Sequence, residues 1–311
     1  MEKQSKIYVA GHRGLVGSAL VRCLKSEGYN NLILKRHDKL DLLDFKAVQS
    51  FFNSEHPDYV FLAAAKVGGI YVNNTKGADF IYENLTIQNN VVKSAHDIKV
   101  KKLLFLGSSC IYPRDCPQPM KESYFLDGKP EPTNTPYAAA KIAGILMCQA
   151  FSKQYGDNFI SVMPTNLYGP NDNFDLVTSH VFPALIRKFY EAKTNNLPIL
   201  TVWGTGAPKR EFLHVDDLAA ACVFLMNEYD QPDIINIGTG MDVTIKQLVT
   251  LIKEISEYKG GIVWDSSKPD GMPRKLLDVS KINVLGWKAR IELKEGIKKI
   301  YQWYALNAIN K

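Results

Sequence analysis

Three side chains in the middle of this sequence are of types that transfer or stabilise protons. Tyr137 and Lys141 stand four residues apart in "PYAAAK", a spacing that places both on one face of a helix. An ammonium group beside a phenol favours the phenolate, so the tyrosine exchanges protons closer to neutral pH. Ser108 ends an apolar run, and its hydroxyl can bond the same substrate oxygen. The order of the three predicts a proton-transfer site, although Y-x-x-x-K also occurs by chance.

A thiol lies close to this group, because Cys110 follows Ser108 by two residues in "GSSCIYP". A thiol titrates at about pH 8.5 and an imidazole at about 6.5, so both can exchange protons near neutrality. The candidate imidazole is His180, in "TSHVFP" at the start of a predicted helix. A lone cysteine is more often a small buried hydrophobe, and a lone histidine often caps a helix. The residue types alone leave both roles open.

A glycine loop, "GHRGLVG", separates the first predicted strand from the first predicted helix. Gly11, Gly14 and Gly17 permit a tight turn and a close approach of the backbone to a pyrophosphate. The following helix offers unpaired N–H groups and the positive end of its dipole. In this strand–helix context the loop predicts dinucleotide binding. The alternative is a tight turn that binds nothing.

The end of the second predicted strand indicates which dinucleotide is bound. An NAD enzyme usually carries an acidic residue there, to bond the ribose hydroxyl. This chain has Lys35, Arg36 and His37 instead. Arg36, with Arg13 from the glycine loop, favours a 2′-phosphate and therefore NADP. A solvated basic turn is the alternative.

Strand-like apolar runs alternate with helical patterns through the first half of the chain. This alternation predicts an α/β fold, a Rossmann-type doubly wound parallel sheet, with a smaller α/β substrate domain. We expect residues 1–165 to form the nucleotide domain, with residues 210–240 returning to it. Residues 166–209 and 241–311 would form the substrate domain. "FISVMPTNLYG" is predicted to be a single strand.

The composition excludes several other classes of protein. The chain has 311 residues, a net charge of +6 from scattered basic residues, and five cysteines without a C-x-x-C pair. We therefore expect no nucleic-acid partner, no metal site and a reducing, cytoplasmic location. The longest apolar stretch, "LAAACVFLM", is half the length of a membrane span, so no membrane association is expected.

The motifs in their order resemble the extended short-chain dehydrogenase/reductases and, more narrowly, the GDP-L-fucose synthase family. The resemblance runs from Lys6 to Tyr304. The segments that carry it are "AGHRGLVGSA", "LAAAKVGGI", "LGSSCIYP", "PTNTPYAAAKIAG", "SVMPTNLYGP", "REFLHVDD" and "SKPDGMPRKLLD". The resemblance implies a homodimeric enzyme that epimerises GDP-4-keto-6-deoxy-D-mannose at C3 and C5 and reduces C4 with NADPH.

The family resemblance also implies a role for each matching residue. Cys110 would be the base and His180 the acid of epimerisation, while Ser108, Tyr137 and Lys141 would serve reduction. Substrate contacts would come from Asn166, Lys188, Trp203, Arg210 and Asp270. The predicted NADP(H) contacts are Gly11, His12, Arg13, Gly14, Leu15, Val16, Gly17, Arg36, Asp41, Leu42, Ala64, Ala65, Leu106, Gly107, Ser108, Tyr137, Lys141, Pro164, Asn166, Leu167 and His180.

Two other functions fit parts of the pattern. One is a different nucleotide-sugar enzyme of the same superfamily, a 4-epimerase or dehydratase that keeps NAD bound. Arg36 and Cys110 count against it, since dehydratases of the superfamily usually carry an acidic pair after the matching serine. The other is a non-catalytic sensor of NADP redox state. Intact Ser108, Tyr137 and Lys141 count against a sensor, which needs no proton relay.

Overall fold

The computed structural model describes residues 1–268 and 270–308. Residue 269 and residues 309–311 of the predicted substrate domain lie outside the described residues. The elements in chain order are β1 Ile7–Ala10, α1 Leu15–Ser26, β2 Leu32–Ile33, α2 Phe45–Glu55, β3 Tyr59–Leu62, α3 Ile70–Thr75, α4 Gly77–Asp97, β4 Lys102–Leu106, α5 Thr135–Tyr155, β5 Phe159–Pro164, β6 Asn166–Tyr168, α6 Val181–Thr194, β7 Ile199–Trp203, β8 Lys209–Arg210, β9 Phe212–His214, α7 Val215–Glu228, β10 Ile235–Ile237, β11 Val243–Thr244, α8 Ile245–Ser256, β12 Gly261–Asp265, β13 Arg274–Lys275, α9 Ser280–Val284 and α10 Leu293–Ala308.

A parallel sheet of six strands, in the order β10-β5-β4-β3-β1-β2, forms the centre of the first region. Every residue of β1, β3, β4 and β5 is buried. Burial on both faces requires a covering layer on each side, and two apolar clusters provide it. One lies between the sheet and helices α1 and α7, and the other between the sheet and helices α2, α4 and α5. The predicted α/β class and doubly wound sheet are confirmed.

Helices α6, α8 and α10 enclose a third apolar cluster with strands β7 and β12. The amphipathic pattern of α8 accounts for its place in this cluster, since Leu248, Val249 and Ile252 are all buried. Thr244 caps the helix in a capping box with Gln247. This cluster lies beyond the six-stranded sheet and supplies the other wall of the site.

Two details differ from the sequence-based expectations. The predicted strand "FISVMPTNLYG" is interrupted at Thr165, and β6 pairs with β9 in a separate two-stranded sheet. In addition, Leu277 and Ile282 pack in the two clusters that flank the central sheet, although the predicted boundary places them in the substrate domain. The domain division itself stays a prediction. In residues 1–268 and 270–308, the structure contains no helix long and apolar enough to cross a membrane.

Candidate active site

A cavity of 2110 Å³ lies at the carboxyl ends of the central strands and extends to the third cluster. Residues that follow β1, β3, β4 and β5 line one side, the usual ligand side of an open α/β sheet. Residues of α6 and the segment around β13 line the other side. Each predicted catalytic, cofactor and substrate residue lines this cavity. The structure thus brings all of them together, while their individual roles stay predictions.

The glycine loop forms a tight turn between β1 and α1. The Gly14 N–H donates to the Gly11 carbonyl at 3.0 Å, and Gly14 begins α1 without a side-chain cap. A Cβ on Gly17 would lie 2.1 Å from the Gly11 oxygen, so only glycine fits there. His12 Nδ1 is buried with no hydrogen-bond partner among the described residues. The uncapped helix start and this orphan nitrogen fit a bound dinucleotide.

The charges around the loop are positive. Desolvation lowers the pKa of His12, and the charges of Arg13 and Arg36 lower it further. Arg36 pairs with Asp38 at 3.0 Å, and its side chain is 60% exposed. Asp41 accepts a hydrogen bond from the Leu43 N–H at 2.9 Å. This end of the cavity therefore offers cations to an anionic ligand group.

Ser108, Tyr137 and Lys141 meet where β4 ends and α5 begins. Burial raises the pKa of Tyr137, the nearby Cys110 raises it further, and a hydrogen bond with Ser108 opposes this shift. Burial lowers the pKa of Lys141 to about 8. Its Nζ donates to the Leu106 carbonyl at 2.6 Å and lies 5.9 Å from the centre of the Tyr137 ring.

This geometry differs from the expectation that the lysine eases ionisation of the tyrosine. The ammonium of Lys141 is directed at a backbone carbonyl, and desolvation of the phenol outweighs the other influences on its pKa. Burial therefore favours the protonated form of Tyr137. A protonated phenol is the form that donates a proton to a carbonyl oxygen.

Cys110 lies in a short 3-10 helix, Ser109–Ile111, that the Ser108 hydroxyl caps by accepting from the Cys110 N–H. Its sulfur has two donors nearby. Lys275 Nζ donates to Sγ at 3.4 Å, and Asn134 Nδ2 lies at 3.9 Å. An adjacent ammonium stabilises a thiolate, which is the basic form of cysteine. The thiol is half-buried and accessible from the cavity.

His180 begins α6 and faces the cavity from the opposite wall. Desolvation lowers its pKa, and the charge of Lys275 acts in the same direction. The loop before it lies against Gly69, whose N–H donates to the Thr178 carbonyl at 2.8 Å. A Cβ on Gly69 would come within 2.4 Å of the Ser179 oxygen. The second glycine of "KVGG" thus permits the close contact that places His180.

The predicted substrate contacts lie toward the third cluster. Lys188 Nζ is 5.2 Å from the centre of the Trp203 ring, and Lys268 Nζ is 5.5 Å from it. Asp270 accepts from Thr205 N at 2.8 Å and from Thr205 Oγ1 at 2.6 Å. Asn166 donates its amide to the Glu211 carbonyl at 2.8 Å. Two ammonium groups beside an aromatic ring suit a ligand with both phosphates and a ring.

Sequence reasoning did not assign some of the residues at the centre of the cavity. The segment "PRKLL" offers Arg274 and Lys275 alike as cations for substrate phosphates and connects neither with Cys110, and no sequence signal singles out Asn134. Asp172 also lines the cavity, and burial raises its pKa to about 7. In residues 1–268 and 270–308, no group of three or more His, Cys, Asp or Glu side chains is arranged to hold a metal ion.

Comparison with known proteins supports the family resemblance. The model of the NAD dependent epimerase/dehydratase family matches residues 7–238. The chain is 59% identical over 311 residues to Putative GDP-L-fucose synthase 2 of Arabidopsis thaliana, covering 100% of this chain and 95% of that protein. The chain belongs to the GDP-L-fucose synthase family. It is also 54% identical over 316 residues to GDP-L-fucose synthase of Escherichia coli (strain K12), covering 99% of this chain and 98% of that protein.

A solved structure extends the likeness of this GDP-L-fucose synthase family member to other GDP-sugar enzymes. MlghC, a GDP-mannoheptose C4 reductase from Campylobacter jejuni with NADP bound, has a TM-score of 0.91 and 44% sequence identity. The match covers 98% of this chain and 99% of that chain. The predicted family is confirmed. The prediction of an enzyme that uses a nicotinamide dinucleotide and a GDP-sugar is confirmed with it.

Proposed function

We propose that this protein converts GDP-4-keto-6-deoxy-D-mannose to GDP-L-fucose. It would epimerise C3 and C5 and then reduce the C4 ketone with NADPH. The observation that carries the proposal is one cavity that holds two sets of proton-transfer groups. Ser108 and Tyr137 form one set on the sheet side. Cys110, which also follows β4, and His180 from the opposite wall form the second set, and Lys275 interacts with both of its members. A plain reductase needs only the first set.

Epimerisation depends on the acidity of hydrogens next to a carbonyl. C3 and C5 both adjoin the C4 ketone, so removal of either hydrogen leaves an enolate. Cys110, whose Sγ accepts a hydrogen bond from the Lys275 ammonium at 3.4 Å, would take the proton as a thiolate. His180 would return a proton to the opposite face. Ser108 and Tyr137 would donate hydrogen bonds to the enolate oxygen, the role of an oxyanion hole.

Reduction would use the same cavity without release of the intermediate. Tyr137 would donate its proton to the C4 oxygen, and Ser108 would orient the carbonyl. NADPH bound along the glycine loop would supply the hydride to C4. Lys141 would hold the cofactor ribose, and its hydrogen bond to the Leu106 carbonyl keeps its ammonium in place. Tyr137 would have this proton available, because a phenol is protonated at neutral pH.

The preference for NADP over NAD is part of the proposal. Arg13 and Arg36 would bind the 2′-phosphate, and no acidic residue follows directly on β2. At the other end of the cavity, Lys188, Arg210 and Asp270 would bind the GDP portion. Trp203 would cover the sugar or the nucleotide with its ring. The lysines beside Trp203 support a diphosphate at this position.

We further propose a cytoplasmic homodimer. Helices α4 and α5 pack against each other and expose large apolar side chains, namely Tyr82, Leu146 and Tyr155. A second copy would cover this surface. All five cysteines are unpaired, which supports a reducing compartment. Sedimentation of the purified protein would test the dimer.

The reaction is tested with GDP-4-keto-6-deoxy-D-mannose and NADPH in deuterated water. NMR follows the sugar, and absorbance follows the nicotinamide. We expect deuterium at C3 and C5, with one NADPH consumed per sugar. NADPH consumption without deuterium would leave a plain 4-reductase, as the name of the Campylobacter jejuni relative describes for that protein. Cys110 would then have no role in the chemistry.

A further inference from the structure

Glu211 is a fully buried carboxylate between β8 and β9 that the proposed chemistry does not use. Its Oε1 accepts from the Thr239 N–H at 2.6 Å and from the Gly240 N–H at 2.8 Å. Its Oε2 accepts from the Leu277 N–H at 3.0 Å. The structure shows no ion pair for Glu211 within residues 1–268 and 270–308. The carboxylate is therefore held by hydrogen-bond donors of the main chain rather than by a cation.

The main chain of the same residue makes further connections. The Glu211 N–H donates to the Lys275 carbonyl at 3.3 Å. The Glu211 carbonyl accepts from Asn166 Nδ2 at 2.8 Å and from Thr165 Oγ1 at 3.4 Å. One residue thus joins the end of the central sheet, the turn after β10 and the segment around β13. Two of these segments carry residues of the active site.

Several contacts hold the segment around β13, among them the Arg274–Asp242 ion pair and the hydrogen bond from the Lys209 N–H to the Pro273 carbonyl at 2.8 Å. β13 contains only two residues, and they pair in parallel with β8. Leu276 is held on the opposite edge, where its N–H donates to Gln118 Oε1 at 2.9 Å and its carbonyl accepts from the Met120 N–H at 2.8 Å. Leu277, two residues after Lys275, points its N–H to Glu211. The Glu211 carboxylate therefore holds Leu277, which lies beyond the two-residue pairing of β13 with β8.

The other side of the carboxylate is equally well defined. A Cβ on Gly238 would lie 2.3 Å from Glu211 Oε1, so the carboxylate occupies the space that this glycine leaves. The turn after β10 thus has a fixed distance from Leu277. We propose that Glu211 is a positioning residue that holds the Lys275 ammonium against the Cys110 thiol. This inference rests on the proposed function, in which Cys110 is the base.

The variant Glu211→Gln tests the inference with little change of shape. The amide oxygen can replace only one carboxylate oxygen, and its NH₂ then faces an N–H donor. If the amide oxygen faces the N–H groups of Thr239 and Gly240, the Leu277 N–H loses its acceptor, and the segment around β13 shifts. Because a misplacement of 1 Å can cost about 100-fold in rate, deuterium incorporation at C3 and C5 should fall by about that factor. The Kd for NADPH should stay unchanged.

A second measurement does not depend on the substrate. Iodoacetamide alkylates thiolates, and mass spectrometry of the Cys110 peptide gives the rate. We expect Glu211→Gln and Lys275→Met each to slow alkylation of Cys110, and Lys275→Met to add no further loss in a Glu211→Gln background. Cys23 and Cys116, the other half-buried thiols, serve as internal references.

Two further variants separate positioning from folding. Thr239→Val removes a hydroxyl that also bonds Glu211 Oε1, at 3.3 Å, without touching Leu277, so alkylation should keep the wild-type rate. If Glu211→Gln fails to fold, Glu211→Asp keeps the charge but is too short to reach both sides. It should then slow the same reaction.

The outcomes distinguish the inference from the proposed function. Slower alkylation together with absent deuterium exchange in the wild type would retain the positioning role and overturn the proposed epimerisation. Additive losses from Glu211→Gln and Lys275→Met would overturn the positioning role. The positioning role would also be overturned if Glu211→Gln lowered the Tm and reduced NADPH affinity, reduction and alkylation to the same extent. That result is expected of a purely structural residue.

Discussion

The two walls of the cavity are built in different ways. On the cofactor wall, the predicted NADP contacts follow the ends of neighbouring strands in one sheet, where the backbone ladder fixes them. The substrate wall supplies His180 and Lys275 from two separate segments, and they meet Cys110, which follows β4 on the sheet side. Side-chain hydrogen bonds and one loop contact bring them together. The loss of one exposed side chain from the cofactor wall should therefore cost little, whereas the loss of Cys110, His180 or Lys275 should each impair proton transfer.

The largest effect should come from Cys110→Ser, at the point where the two walls meet. The hydroxyl keeps the size of the thiol but is a far weaker acid, so the base is lost. Removal of such a group costs about 10²- to 10⁴-fold, and deuterium incorporation at C3 and C5 should fall by that amount. NADPH titration should give the wild-type Kd. Cys116→Ser is the matched control, and full exchange by Cys110→Ser would exclude Cys110 as the base.

An intermediate effect is expected from Lys275→Met. Loss of the charge-assisted hydrogen bond to Cys110 should slow exchange by about ten- to a hundredfold. Removal of a positive neighbour also stabilises the imidazolium, so the lowered pKa of His180 should rise. His180 must be protonated to act as the acid, so deuterium exchange declines as the pH rises through its pKa. In Lys275→Met this decline should occur at a higher pH.

The pH profile of deuterium incorporation measures this shift. Arg274→Met provides the control, because Arg274 is paired with Asp242 instead. A profile of the same shape and position in both variants would show that Lys275 does not act on His180.

The smallest effect should come from the cofactor wall, through Arg36→Ala. The Arg36 side chain is 60% exposed and already paired with Asp38, so solvent screens part of its charge. We expect the Kd for NADPH to rise by about tenfold or less and the Kd for NADH to stay the same. Fluorescence titration with both cofactors measures the ratio. Lys35→Ala, whose lysine pairs with Glu55, is the control. Equal losses for both cofactors would show that Arg36 does not bind the 2′-phosphate.

The same contrast explains what the sequence can predict. Gly17 and Tyr137 belong to short motifs, in which the local backbone determines the geometry, and both line the cavity as expected. Lys275 is 165 residues from Cys110, and contacts of the β13 segment with β8, Gln118 and Met120, all distant in the chain, bring them together. Nothing in "PRKLL" tells which of two adjacent cations faces the thiol. Long-range pairing decides it, and a single sequence does not contain that information in a local pattern.

The protonation of Tyr137 was beyond local reasoning for a different reason. The spacing of Tyr137 and Lys141 correctly places both in α5, but the pKa depends on how deeply the phenol is buried and on where the ammonium donates. Similarly, the interruption at Thr165 separates β5, which pairs with β4 and β10, from β6, which pairs with β9 in another sheet. Both outcomes depend on partners distant in the chain.

The edge position of β10 has a consequence for synthesis and truncation. β10 pairs with β5 at the edge of the sheet, and α7 covers α1. The sheet of the first half of the chain is therefore complete only when residues up to Ile237 are present. A nascent chain that ends near residue 165 would present β5 as an open edge, beside a helix with no cover. Such edges pair with other chains. A fragment of residues 1–165 should therefore aggregate on expression. During synthesis, about another seventy residues must leave the ribosome before β10 can pair with β5.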